Sequence, residues 1–90
     1  MEKGVSVVDF FADWCGPCKI MHPIYERLSE EYNGKIKFYR LNIDKNEVST
    51  SKYDVMTIPT FIIFKDGEKL DSLVGLVDES LLKEKLNSAI

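Results

Sequence analysis

From Val5 to Ala12 the chain is almost continuously apolar, and Asp9 is the one charge inside the run. The run is rich in β-branched and aromatic residues, which predicts a strand buried on both faces. After Cys15 the period changes. Ile20, Ile24 and Leu28 recur at i, i+4 and i+8, with Met21, Tyr25 and Tyr32 widening the stripe. That spacing predicts an amphipathic helix from Gly16 to about Tyr32. Pro17 suits its first turn, where a missing N–H is harmless, and Pro23 inside it predicts a kink. Asn33-Gly34 reads as its stop.

Alternation returns over Lys35 to Ile43, a second strand with Ile36 and Phe38 on one face and Tyr39, Leu41 and Ile43 on the other. Arg40 shares the Ile36–Phe38 face. A short helix is expected from about Glu47 to Tyr53. Thr60 to Lys65 and Lys69 to Val74 read as strands joined by Asp66-Gly67, a strong hairpin signal between apolar runs. Asp78 has the chemistry of an N-cap for a last helix whose Leu82, Leu86 and Ala89 face inward. The order β-α-β-α-β-β-α implies parallel strands across the crossovers and an antiparallel pair at the hairpin. The expected class is α/β, a four-stranded mixed sheet with helices on both faces.

With 90 residues, residues 1–90 are expected to form a single domain of modest stability. The hydrophobic fraction of 44% is enough for a core, and a net charge of -3 argues against nucleic acid or an anionic membrane as partner. No apolar stretch approaches the roughly 20 residues of a membrane span. Met1-Glu2-Lys3-Gly4 does not read as a secretory leader, so the expected location is cytoplasmic.

The chemistry gathers at Cys15-Gly16-Pro17-Cys18, between the first strand and the helix. A thiol at a helix N-terminus meets exposed N–H groups and the positive end of the dipole. Both favour the thiolate, which is the nucleophile. The second cysteine, one turn away, is in reach to close a small disulfide. So small a ring constrains the unfolded chain little, which makes a structural staple a poor explanation for the pair. Thiol–disulfide exchange is the chemistry these residues point to. Three other readings stand beside it: inert buried cysteines, a binding module in which the dithiol is incidental, and a zinc site using Cys15, Cys18 and His22, which would need a fourth ligand. His22 otherwise reads as a solvated helix residue. Asp9 is costly in an apolar strand unless paired or protonated, and Arg40 is placed either to pair with it or to extend to water from a sheet edge.

At Trp14-Cys15-Gly16-Pro17-Cys18-Lys19 the chain resembles the thioredoxin family. The likeness continues, in order, through Leu41-Asn42-Ile43-Asp44, Thr57-Ile58-Pro59-Thr60, Phe64-Lys65-Asp66-Gly67 and Val74-Gly75. The resemblance implies a minimal version of that fold, without the strand and helix that usually precede the position of Val5. It implies that Cys15 is the nucleophile, Cys18 the resolving thiol, Asp9 the buried acid beneath them, and Pro59 a cis-proline against the disulfide. Trp14, Gly16, Pro17, Ile58, Pro59 and Gly75 would form the groove for a substrate polypeptide. The implied partners are disulfide-containing client proteins and a separate thioredoxin reductase. No cofactor is expected, since no nucleotide fingerprint is present. Arg40 stands where the family commonly has a lysine. A glutaredoxin-like reductase is the alternative within the fold, and Gly16-Pro17 together with the lack of a recognisable glutathione site speaks against it. The strand over Lys35–Ile43 is expected to be a sheet edge, giving a monomer or a weak homodimer.

Overall fold

A computed structural model describes residues 3–90; Met1 and Glu2, part of the stretch read against a leader, lie outside the described residues. Seven elements follow one another: β1 (Val5–Phe11), α1 (Gly16–Glu31), β2 (Ile36–Asn42), α2 (Glu47–Lys52), β3 (Thr60–Lys65), β4 (Glu68–Val74) and α3 (Glu79–Ala89). The strands form one sheet in the order β2-β1-β3-β4. β1 runs parallel to β2, with Val5 opposite Ile36 and Asp9 opposite Arg40. It runs antiparallel to β3, with Asp9 opposite Phe61. The mixed sheet expected from the element order is therefore present, with β2 as an outer strand among the described residues.

The two faces are covered unequally. On one, Val5 and Val7 of β1 and Phe61 and Ile63 of β3 pack against Met21, Tyr25 and Leu28 of α1 and Leu82, Leu86 and Ala89 of α3. On the other, Phe10, Ile62 and Phe64 meet Tyr53 and Val55, which follow α2, together with Leu41 and Ile43. α2 itself buries no residue. This second cover is thin, so Ser6 and Val8 stay half-buried and β1 is sealed on one face only through most of its length. That corrects the expectation of a strand buried on both sides.

Local chemistry explains the boundaries. Asp66 and Gly67 both adopt positive φ, 52° and 87°, as a tight I′-type hairpin turn demands. The same turn holds the start of β1: Gly4 N–H donates to Asp66 Oδ1 at 2.8 Å, and Asp66 N–H donates to the Gly4 carbonyl at 2.8 Å. Asp78 occupies the N-cap position of α3 without a side-chain cap bond. α1 runs on through Pro23. Its buried face is Cys18, Met21, Tyr25 and Leu28, whereas Ile20 is 58% exposed, so the stripe is rotated from the expected one. The Tyr25 hydroxyl lies 3.0 Å from the Val7 carbonyl and also contacts that of Tyr39, tying α1 across β1 and β2.

Candidate functional site

Cys15 is the N-cap of α1, with extended backbone (φ -87°, ψ 112°), and its Sγ accepts a hydrogen bond from the Cys18 N–H at 3.2 Å. Sulfur thus sits where a capping oxygen usually sits, against one of the helix's orphan donors. No acidic residue stands in the first turn to oppose negative charge there. Cys15 and Cys18 form a disulfide, with Cα atoms 5.3 Å apart. Both are buried, in a cluster with Ala12, Phe11, Ile43 and Ile58.

The surroundings of Cys15 are apolar and backbone-rich. Its Sγ lies 3.8 Å from the Ile58 carbonyl oxygen. The Ile58–Pro59 peptide is cis, as the resemblance implied. The Pro59 carbonyl accepts the Gly75 N–H at 2.8 Å. Gly75 has φ +84°, and open space surrounds the place a Cβ would occupy. Trp14 is 68% exposed, and its indole N–H donates to Asp44 Oδ2 at 2.8 Å. Gly16 and Pro17 are exposed and Ile58 is half-buried. These residues stand together at one end of the sheet.

The surroundings of Cys18 carry titratable side chains around a partly open recess. A cavity of about 200 Å³ is lined by Phe11, Ala12, Asp13, Cys18, Lys19, His22 and Arg40. Asp9 lies beneath, 1% exposed. Arg40 Nε is 3.5 Å from Asp9 Oδ2, a long contact whose value is more Coulombic than hydrogen-bonding. The Arg40 guanidinium also lies over the Phe11 ring, 3.8 Å from its centroid. Of the two roles open to Arg40, pairing with Asp9 is the one present. Asp9 Oδ1 has no hydrogen-bond partner. Burial raises the Asp9 pKa to about 6; Arg40, by charge and hydrogen bond, and then His22 pull the other way without cancelling it.

His22 is solvated on one side only, with 35% of its side chain exposed. Its Nε2 lies 3.4 Å from Glu26 Oε1 one turn on, and its Nδ1 is buried with no partner. Among the described residues, no group of three or more His, Cys, Asp or Glu is arranged to hold a metal ion. Asp44 and Phe11 were not singled out as site residues from the sequence. Asp44 sits inside the Leu41–Asp44 motif, so a signal was there; the place of Phe11 under Arg40 has none, since it depends on the pairing of β1 with β2.

A family model for thioredoxin matches residues 1–88. A thioredoxin of Staphylococcus epidermidis is 47% identical over 87 residues, which span 97% of this chain and 84% of that protein. One of Staphylococcus aureus is 46% identical over the same shares. Among solved structures, a mutant thioredoxin from Halobacterium salinarum superposes with a TM-score of 0.89 at 38% identity, covering 97% of this chain and 75% of that one. Among the described residues, no helix is long and apolar enough to cross a membrane.

Proposed function

The chain belongs to the thioredoxin family and is a thiol–disulfide oxidoreductase acting as a protein-disulfide reductase, and from that premise we propose how its residues divide the work. Cys15 is the nucleophile. Its thiolate attacks a disulfide in a client polypeptide, forming a mixed disulfide and releasing one client thiolate. Cys18 then loses its proton and attacks Cys15 Sγ, which closes the Cys15–Cys18 bond and releases the second client thiolate. Asp9 is the proton acceptor beneath the pair. Its pKa, raised to about 6, brings it near the neutral range where a general base works best. Trp14, Gly16, Pro17, Ile58, Pro59 and Gly75 form the client groove, in which exposed backbone and an indole suit a polypeptide of varied sequence.

The observation that carries this reading is the Cys18 N–H directed at Cys15 Sγ from the first turn of α1. A donor held there stabilises a thiolate at Cys15, and not one at Cys18, which lies inside the helix. The partners are disulfide-bearing client proteins and a separate reductase that restores the dithiol. The 90 residues act as a single unit, as a monomer or weak homodimer, in the cytoplasm. With dithiothreitol as reductant, the protein should reduce an insulin-type disulfide. Cys15→Ser abolishes this, and Cys18→Ser accumulates a client mixed disulfide. Trapping by Cys15→Ser in place of Cys18→Ser would reverse the two roles.

A further inference from the structure

Removing the Cys18 proton raises a question of access. Cys18 lines the cavity of about 200 Å³, and Asp9 does not. Arg40, which contacts Asp9, does line it, but its guanidinium stays protonated and relays nothing. The titratable side chains that share the cavity with Cys18 are Asp13, Lys19 and His22. Only imidazole ordinarily changes charge in the neutral range.

His22 has the features of an acceptor. It lies one helical turn after Cys18, on the same face of α1. Glu26 Oε1, 3.4 Å from Nε2, favours the proton on that nitrogen. Nδ1 is then the lone-pair side, and it is buried without a partner. The volume has room for water, and a water bonded to Nδ1 would satisfy an atom that otherwise costs free energy.

We propose that His22 accepts the Cys18 proton through water held in this cavity, a second route beside Asp9. The inference rests on Cys18 being the resolving thiol. The proton passes from Cys18 Sγ to water and on to Nδ1. The Cys18 thiolate then attacks Cys15 Sγ, the bond from Cys15 to the client sulfur breaks, and the client thiolate leaves. The imidazolium returns its proton to solvent along the exposed side of the ring. Charges face it from every neighbouring element: Lys19 and Glu26 from α1, Asp13 from the loop before it, Asp9 from β1 and Arg40 from β2.

The test mixes reduced protein with an aromatic disulfide that releases a coloured thiolate. The fast release reports attack by Cys15, and the slow release reports attack by Cys18. In Asp9→Asn the slow phase should still follow a single protonation across the neutral range. In Asp9→Asn/His22→Gln that protonation should vanish, with the slow phase about a hundredfold slower than in Asp9→Asn at pH 7 and rising only with hydroxide. Glu26→Gln in the Asp9→Asn background should slow it less, in the same direction. An inflection that survives in the double variant, or is already gone in Asp9→Asn, overturns the proposal. A uniform slowing with an unchanged pH profile makes His22 merely structural and overturns it too. A missing fast phase in the unmodified protein overturns instead the assignment of Cys15 as nucleophile.

Discussion

Beside Cys15 stand Trp14, Ile58 and Gly75; beside Cys18 stand Arg40 and His22, with Asp9 beneath. The first group offers an exposed indole, bonded to the Asp44 carboxylate, and backbone polar groups. The second sets a guanidinium, an imidazole and an acid about a partly open recess, including both of the buried side-chain atoms that lack a partner among the described residues, Asp9 Oδ1 and His22 Nδ1. One disulfide thus separates a side suited to peptide recognition from a side suited to proton transfer. The two tasks make opposite demands on water. A groove must exchange its water for a client, whereas a proton path must keep its own.

Variants on the two sides should differ in kind, and the largest effect is expected at Asp9. Its pKa of about 6 in the folded protein exceeds the ordinary aspartate value of 3.8. The folded state therefore holds the proton longer than the unfolded one. The cost of the buried charge is absent at pH values below 3.8, grows as pH rises between the two values, and is complete above about 6. Asp9→Asn should stabilise the oxidised protein by up to about 3 kcal/mol at pH 8 and by almost nothing at pH 3.5, read from denaturant midpoints. A gain independent of pH would show that charge is not the cause.

Arg40→Met removes the counter-charge and should move the Asp9 midpoint above 6, followed by NMR titration. Arg40→Lys should move it less. The Arg40 side chain keeps about a third of its surface in solvent, so the effect is smaller than that of losing the carboxylate itself. If Asp9 ignores both substitutions, the two are not coupled and the Cys18 side loses its fixed cation as an explanation.

On the Cys15 side the effects should be smaller and blind to pH. Gly75→Ala meets open space but must hold φ near +84°, which costs about 1–2 kcal/mol for a residue with a Cβ. It should also weaken client binding, seen as a higher KM for a disulfide peptide, with the pH profile of the resolving step unchanged. Asp44→Ala releases the Trp14 indole from its 2.8 Å bond. About 0.5 kcal/mol is expected at an exposed site, with lower fluorescence anisotropy of Trp14. A pH-dependent response from either variant would dissolve the distinction between the two sides.

How much of this was legible follows from the range of each interaction. The β3–β4 hairpin was readable to the residue at Thr60–Lys65, because Asp66-Gly67 is local turn chemistry and the run before it is continuously apolar and buried. The face of α1 was legible as a helix but not in phase. Ile20 and Met21 are adjacent apolar residues, and either can begin a stripe. Counting Cys18 as an apolar residue would have resolved it, since Cys18, Met21, Tyr25 and Leu28 are the buried set. Asp9 was conspicuous as an acid in an apolar run, and its pairing with Arg40 was one of two options because nothing local sets the β1–β2 register. His22 was the hardest to read. Its place one turn after Cys18 was the one local cue, and its cavity is completed by Arg40 from another strand.

The placement of β1 has a mechanical consequence. β1 lies in the interior of the sheet, bonded along its length to β2 on one side and β3 on the other. Cys15 follows it after a short loop and is itself the first residue of α1's cap. On the proposed role of Cys15, a client tethered to it and under tension pulls along this strand. Such a load is spread over two ladders in shear, with many bonds bearing it at once, and does not peel them open one at a time. The tether point is therefore anchored in the best-braced strand of the sheet, and α1 takes the load from its other side.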